Sequence, residues 1–303
     1  MPLPLIDLAG GTRAQHAAAI DHALRGPGFF AIRGHGVDFG ARDAAFNAAH
    51  RFFALPDEVK RRCHVDRHPT GLKRGFDPIG WQSLDVGQPP DLKESFYLGV
   101  EHIGPNQWPD EAQVPGFHVA CHGYMRAMEG LARRLMGLFE MALGLPAGHF
   151  DDFMRHPTCT TRLLHYPPQP VDAAPGQIGC GAHTDWGALT LLAQDDAGGL
   201  QVNTPDEGWI DVPPDGEVLI VNAGDMMPRW TNDRWRSTPH RVINRFGGRD
   251  RWSIAFFFDL DDEASIQPLE VCVSASNPPR YAPITAGQHL VEMYRRTSVG
   301  RAA

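Results

Sequence analysis

Apolar side chains follow two different periods along the chain, and the change of period separates a helical part from a strand-rich part. Between Phe117 and Leu143 they recur every three or four positions and Gly144 follows, so the spacing predicts one long helix. From about residue 155 to residue 262 the period is that of strands, in seven short segments with turn residues between them. The predicted strands are Thr160–Tyr166, Ala188–Ala193, Leu200–Val202, Trp209–Val212, Val218–Asn222, His240–Asn244 and Trp252–Phe258. Such a run of strands favours a sandwich or barrel of the jelly-roll kind, in a protein of mixed α and β class.

The segments that flank this core predict shorter elements. Strands are expected at residues 3–8 and 29–33, and helices at about 12–24, 39–53, 56–62 and 285–296. Residues 63–116 lack a clear period and are rich in Gly and Pro, so we expect functional loops packed over a scaffold. Because no internal repeat or linker is visible, the sequence predicts a single compact unit. Its expected parts are an N-terminal region (1–116), the long helix (117–150), the jelly-roll core (155–262) and a C-terminal segment (263–303).

Composition and charge exclude several classes of protein. The 303 residues are 42% hydrophobic, which is enough for a sizeable core, and no apolar run reaches the ~18 residues of a membrane span. The net charge is −8 and the 28 Lys and Arg are scattered, so nucleic acid is not an expected partner. Five separated cysteines without a CxxC pair indicate reduced thiols. With no visible secretory signal, the expected compartment is the cytoplasm.

Three candidate metal ligands lie in the strand-rich part. His183 and Asp185 are two positions apart, so in an extended segment they would present a nitrogen and an oxygen to one point, and His240 would arrive from another strand. Two imidazoles and one carboxylate on one side of an ion leave its other positions open, as in non-haem Fe(II) oxygenases. Either fragment alone could be an unrelated polar group. Apolar strands flank both, however, and an unpaired carboxylate there would be costly, which favours a bound cation.

Two further pairs of polar residues could hold an acidic ligand. Arg251 and Ser253 enter an apolar strand on the same face, where a guanidinium and a hydroxyl could bind the distal carboxylate of a small acid. Arg162 and Tyr166 share one face of their strand and could reach the same acid or the substrate. A surface Arg–Ser pair and an interface pair are the alternatives.

The motifs around these residues carry a family resemblance. In the second half they are RLLHYPP, HTDWGALTLL, RWTNDRWRSTPHRV and RWSIAFFF, and in the first half LPLIDLAG, GFFAIRGHGV, RFFALPDEVKR and RGFDPIGWQSLDVGQPPDLKESFYLG. With the closing ITAGQHLVEMYRR they are similar to the Fe(II)- and 2-oxoglutarate-dependent dioxygenases of the isopenicillin N synthase-like group. The resemblance covers nearly the whole chain. It implies a double-stranded β-helix that holds Fe(II) on His183, Asp185 and His240.

The resemblance also implies the co-substrate pocket and the reaction. By motif position Arg251 and Ser253 would hold the far carboxylate of 2-oxoglutarate, and Tyr166 would line the same pocket, with Arg162 as a further candidate contact. Such enzymes use dioxygen, convert 2-oxoglutarate to succinate and carbon dioxide, and usually hydroxylate a small organic molecule; desaturation and ring closure are variants. Many relatives carry Asn two residues before the Tyr, where this chain has Leu164.

Two other functions stay open at this point. In the namesake of the group, which uses no 2-oxoglutarate, the equivalent Arg-x-Ser pair holds a carboxylate of the substrate, so an oxidase of that type is the first alternative. The second is a jelly-roll binding or sensor protein whose iron site is catalytically idle.

Overall fold

The computed structural model describes residues 3–85, 87–244 and 248–297. Their helices are α1 Arg13–Arg25, α2 Phe39–Phe53, α3 Asp57–Lys60, α4 Phe117–Leu143, α5 Met226–Trp230 and α6 Ala286–Thr297. Their strands are β1 Leu5–Asp7, β2 Phe29–Arg33, β3 Gly75–Asp77, β4 Glu94–Gly99, β5 Cys159–Tyr166, β6 Cys180–His183, β7 Leu189–Gln194, β8 Leu200–Thr204, β9 Gly208–Asp211, β10 Leu219–Ala223, β11 His240–Val242, β12 Arg251–Phe258, β13 Ser265–Ile266 and β14 Ile284–Thr285. The predicted mixed α and β class is confirmed, and so is the long helix.

Two sheets pack against each other and enclose the space in which the candidate ligands lie. The large sheet has the strand order β1-β2-β10-β7-β12-β5-β4-β3, and the small sheet has the order β6-β11-β8-β9. Neighbouring strands in these sheets are antiparallel, except that β1 and β2 are parallel. The large sheet joins β1 and β2 from the N-terminal region to β7, β10 and β12 from the later part of the chain. An apolar cluster between the sheets draws Leu164 and Ala255 from the large sheet and Val202 and Val242 from the small one.

The opposite face of the large sheet is covered by helices. A second apolar cluster joins Leu163, Ile254 and Phe256 of the sheet to the buried sides of α1, α2 and α4. Helix α4 buries side chains at helical spacing along its length and ends where Gly144 adopts the left-handed conformation (φ +74°), which only glycine adopts readily. The large sheet is therefore the middle layer of the molecule, with helices on one side and the small sheet on the other. Helices of membrane-spanning length and hydrophobicity are absent from the described ranges.

The expectation that residues 63–116 are only loops is wrong. β3 and β4 extend the large sheet at its edge, and β4 pairs with β5 over its whole length. The sequence of β4 does not show the apolar pattern of a buried strand, because its first residue, Glu94, is an acidic residue that is buried in the structure. Its oxygens accept from Lys60 Nζ at 2.7 Å and lie 2.7 Å from His165 Nδ1. When the sequence is considered alone, a charged residue whose partners are distant in sequence is interpreted as part of a loop.

Candidate active site

The structure brings the three predicted metal ligands together at one end of the small sheet. His183 ends β6 and His240 begins β11, and the two residues are directly paired across these strands. Asp185 lies two residues beyond β6 with only 6% of its surface exposed. Its Oδ1 is 3.9 Å from His183 Nε2 and 3.7 Å from His240 Nε2. Three potential ligand atoms thus surround one point.

Hydrogen bonds fix which nitrogen each imidazole presents to that point. Nδ1 of His183 lies 2.8 Å from the carbonyl oxygen of Gly181, and Nδ1 of His240 lies 3.2 Å from that of Thr238. Because a carbonyl oxygen only accepts, each Nδ1 carries the proton and each Nε2 keeps a free lone pair. Burial lowers the pKa of both rings, that of His240 to about 4, so both are neutral near pH 7.

The carboxylate of Asp185 is held in its charged form. Burial by itself would raise the pKa of Asp185, but His240, His183 and a hydrogen bond from Asn222 together keep that pKa below its ordinary value. Asn222, at the end of β10, donates from Nδ2 to Asp185 Oδ2 at 2.7 Å. Two neutral imidazoles and one anionic oxygen match the donor set of a divalent iron ion. Because three protein ligands on one side of such an ion leave its other positions open, the arrangement fits a site that also binds small molecules.

Arg251 is a buried cation whose hydrogen-bond partners are all neutral. It is 1% exposed and donates to the carbonyl oxygen of Gly198 at 2.7 Å, to Ser253 Oγ at 3.1 Å and to Gln194 Oε1 at 3.1 Å. Among the described residues no carboxylate lies within 4 Å of its guanidinium. A buried charge without a counter-ion is costly, so this pocket fits the carboxylate of a small acid.

The neighbours of Arg251 complete a polar pocket on the inner face of the large sheet. Tyr166 is its cross-strand partner, and the Tyr166 ring lies 4.8 Å from the guanidinium carbon. Leu164 is buried opposite Ser253 and adds an apolar wall. The three predicted residues Arg251, Ser253 and Tyr166 therefore lie together.

Arg162 lies elsewhere on the same face. Its cross-strand partner on β12 is Ala255, four positions from Arg251, which is about 13 Å along a strand. Its Nη2 donates to Gln82 Oε1 at 2.7 Å and to Ser95 Oγ at 2.9 Å, and the Tyr97 ring lies 4.3 Å from the guanidinium carbon. Nε of Arg162 is buried and has no hydrogen-bond partner within the described part of the chain. Arg162 and Arg251 thus form two separate cationic positions.

Two family models match this sequence. Residues 3–111 match the non-haem dioxygenase in morphine synthesis N-terminal model, and residues 157–260 match the 2OG-Fe(II) oxygenase superfamily model. A 2-oxoglutarate-Fe(II) type oxidoreductase, hxnY of Emericella nidulans, is 37% identical over 317 residues, which cover 99% of this chain and 89% of the relative. The chain belongs to the 2OG-Fe(II) oxygenase superfamily.

Solved structures of similar proteins contain the expected cofactors. A full-length Neurospora crassa protein in complex with alpha-KG and thymine has a TM-score of 0.88 at 31% identity, with 97% of each chain covered. JOX2 in complex with 2OG, Fe and JA has a TM-score of 0.83 at 30% identity, covering 98% of this chain and 86% of JOX2. This 2OG-Fe(II) oxygenase therefore has the predicted jelly-roll core, and it is an oxidoreductase that depends on Fe(II) and 2-oxoglutarate.

Some residues that hold the candidate ligands of this 2OG-Fe(II) oxygenase in place were not predicted from the sequence. Asn222 hydrogen-bonds the Asp185 carboxylate, and Gln194 orients Arg251. Each lies in a strand that is otherwise mostly apolar, where a polar residue is the available signal. The partner of each comes from a remote segment, so the sequence alone does not identify it.

Gly224 controls how closely the turn after β10 approaches the Asp185 segment. The amide of the next residue, Asp225, donates to the Asp185 carbonyl at 2.8 Å, and a Cβ on Gly224 would overlap the backbone of Gly187. We expect Gly224→Ala to lower the free energy of unfolding by about 1–3 kcal/mol and to weaken iron binding. Gly130→Ala is the matched control, since its Cβ meets nothing within 4 Å in α4 and should stabilise the helix by about 0.5–1 kcal/mol. Denaturant unfolding compares the two variants, and equal stability would contradict the packing role.

Proposed function

We propose that this oxygenase hydroxylates a small molecule that presents a carbonyl or carboxylate oxygen to Arg162. Fe(II) is held by His183, Asp185 and His240, and the far carboxylate of 2-oxoglutarate by Arg251. The observation that carries the proposal is the pair of buried guanidiniums on one face of the large sheet. Arg251 has neutral hydrogen-bond partners on all three of its nitrogens, and Nε of Arg162 has no partner among the described residues. One position suits the co-substrate and the other suits the molecule to be oxidised.

Each residue has a separate part in the reaction. Bound iron and 2-oxoglutarate supply the oxidising chemistry, in which dioxygen is consumed and 2-oxoglutarate becomes succinate and carbon dioxide. His183 and His240 offer neutral nitrogens, because their other nitrogens face carbonyls. Arg251 fixes the far end of the co-substrate in a pocket that excludes water, with Ser253 and Tyr166 as neutral neighbours.

The surroundings of Arg162 support its assignment to the substrate rather than to 2-oxoglutarate. Asp77 Oδ2 lies 3.7 Å from its Nη2, beyond hydrogen-bond distance, so the guanidinium is only partly neutralised. Gln82 bridges Arg162 and the Tyr97 hydroxyl, to which it donates at 3.3 Å. An aromatic ring, an amide and a cation side by side suit a planar or acidic molecule with oxygen acceptors. Thymine, bound in the similar Neurospora crassa structure, has such oxygens and is a suitable first probe.

Product analysis tests hydroxylation. The protein is incubated with Fe(II), labelled 2-oxoglutarate and a panel of thymine and small carboxylic acids, under heavy-isotope dioxygen. We expect labelled carbon dioxide, with succinate and a product that contains one heavy oxygen atom in equal amounts. A product two hydrogens lighter would indicate desaturation or ring closure instead. Absence of labelled carbon dioxide with every compound, and without any compound, would favour the oxidase alternative.

Replacing Arg162 separates substrate binding from co-substrate binding. We expect Arg162→Met to lower kcat/KM for the primary substrate by roughly 30-fold or more, because a buried charge that binds an acceptor contributes about 2 kcal/mol or more. The dissociation constant of 2-oxoglutarate should stay within about twofold of the wild-type value. Arg155→Met is the control, since Arg155 is exposed and pairs with Asp152 on the surface. A large loss of 2-oxoglutarate affinity in Arg162→Met would place Arg162 in the co-substrate pocket.

A further inference from the structure

A second cluster of metal-binding side chains lies on the helical side of the molecule. His118 and His122 are four residues apart in the first turns of α4, so their rings project from the same face of the helix. Glu101 approaches them from the turn that follows β4. One ligand atom from each of the three residues lies within 4.8 Å of the other two, and His122 Nε2 is 3.3 Å from Glu101 Oε1. This separation is about that of neighbouring ligand atoms on a tetrahedral zinc ion.

The ring orientations in this cluster are fixed by packing. The indole of Trp108 packs against both imidazoles, with ring centroids 4.4 Å from His118 and 5.6 Å from His122. The turn that carries Glu101 is anchored as well, because Asn106 hydrogen-bonds both the amide and the carbonyl of Gly99 at 2.8 and 2.9 Å. The ligands of such a site therefore need little rearrangement to bind an ion.

One nitrogen of the cluster has its hydrogen-bonding capacity unused. His122 Nε2 is shielded from solvent and makes no hydrogen bond with any residue that the structure describes, although the Glu101 carboxylate is close. A shielded polar atom without a partner is unfavourable. A cation shared between this nitrogen and the half-exposed carboxylate of Glu101 would give the nitrogen a partner.

We propose that His118, His122 and Glu101 bind a Zn²⁺ ion at a site separate from the candidate iron centre. Two imidazoles and one carboxylate form a donor set that suits zinc, with a water molecule as the fourth ligand. The large sheet lies between the two sites, because α4 covers its outer face and the iron ligands lie on its inner side. The ion would join the turn after β4 to α4. This inference does not depend on the proposed function.

Zinc stoichiometry tests the proposal in untagged full-length protein. By equilibrium dialysis we expect two equivalents in the wild type, since the candidate iron ligands also bind zinc, and one equivalent in Asp185→Ala. Adding His118→Ala to Asp185→Ala should remove this remaining equivalent. Glu101→Gln should weaken the affinity for this remaining zinc ion at least about tenfold, since even the loss of a residue that only orients a ligand lowers metal affinity that much.

A control and a second measurement protect the result against misfolding and adventitious binding. His156→Ala is the control, because His156 is exposed and its nearest ring neighbour is His102, at 6.1 Å. Zinc should raise the unfolding temperature of Asp185→Ala and of its His156→Ala derivative, but not of the derivative with His118→Ala. The proposal is overturned if Asp185→Ala binds no zinc at micromolar concentrations, or if His156→Ala weakens binding as much as His118→Ala does.

Discussion

Replacing His183 or Asp185 with alanine should weaken iron binding severely and suppress every oxidation that depends on it. Each change removes one of three ligand atoms that converge within 4.8 Å. Even the loss of a residue that only orients a ligand weakens metal affinity roughly 10- to 100-fold, so we expect the loss of a ligand itself to weaken it roughly 100-fold or more. The measurement is the weak visible absorption band of the anaerobic complex with Fe(II) and 2-oxoglutarate. This band should disappear in both variants.

Asp196→Ala is the control for this prediction. Asp196 is an exposed aspartate whose partner is the surface residue Arg249, so its removal should leave the band unchanged. Circular dichroism should show that all variants keep their secondary structure, because the apolar clusters do not include the three ligands. An unaltered band in His183→Ala or Asp185→Ala would remove that residue from the metal centre.

The second large effect is expected at the buried guanidinium of Arg251. Arg251→Ala should weaken 2-oxoglutarate binding by roughly 2–5 kcal/mol, because it leaves a desolvated carboxylate without its partner. Iron affinity should change far less, since Arg251 hydrogen-bonds Gly198, Ser253 and Gln194 rather than any of the three candidate ligands. Titration of the iron-loaded protein with 2-oxoglutarate under anaerobic conditions, followed by the visible band, gives the affinity directly.

Arg249→Ala is the matched control for Arg251→Ala. It removes the same kind of side chain two residues earlier, but Arg249 is about half exposed and pairs with Asp196 at the surface, where ion pairs contribute little. We expect its 2-oxoglutarate affinity to stay within about threefold of the wild-type value. Equal affinity in Arg251→Ala and the wild type would mean that the co-substrate carboxylate binds elsewhere.

Strands with strong apolar alternation could be predicted from the sequence. The same alternation predicts which of their side chains share the face that lines the site. β12 carries Arg251 and Ser253 on the same face, as alternation required, and this face points towards the small sheet. The convergence of His183 and Asp185 was predicted from extended geometry, although Asp185 in fact lies past the end of β6. The two side chains meet because the turn after β10 holds the Asp185 backbone.

The features that could not be predicted depend on contacts between distant segments. The sequence does not predict β4 because its first residue is a buried glutamate, whose partners Lys60 and His165 come from α3 and β5. The separation of Arg162 from Arg251 follows from strand register, which no local pattern specifies. Gln82 reaches Arg162 from a loop whose path depends on the whole fold. These contacts line the space that we propose for the primary substrate.

We expect His183, Asp185 and His240 to hold one ferrous ion. Crystals grown anaerobically with Fe(II) and 2-oxoglutarate, measured on both sides of the iron absorption edge, test it most directly. We predict an anomalous peak bounded by the Nε2 atoms of both histidines and a carboxylate oxygen of Asp185, with 2-oxoglutarate extending from it to Arg251. A fully occupied iron peak away from these three side chains, or none at saturating iron, would contradict the account.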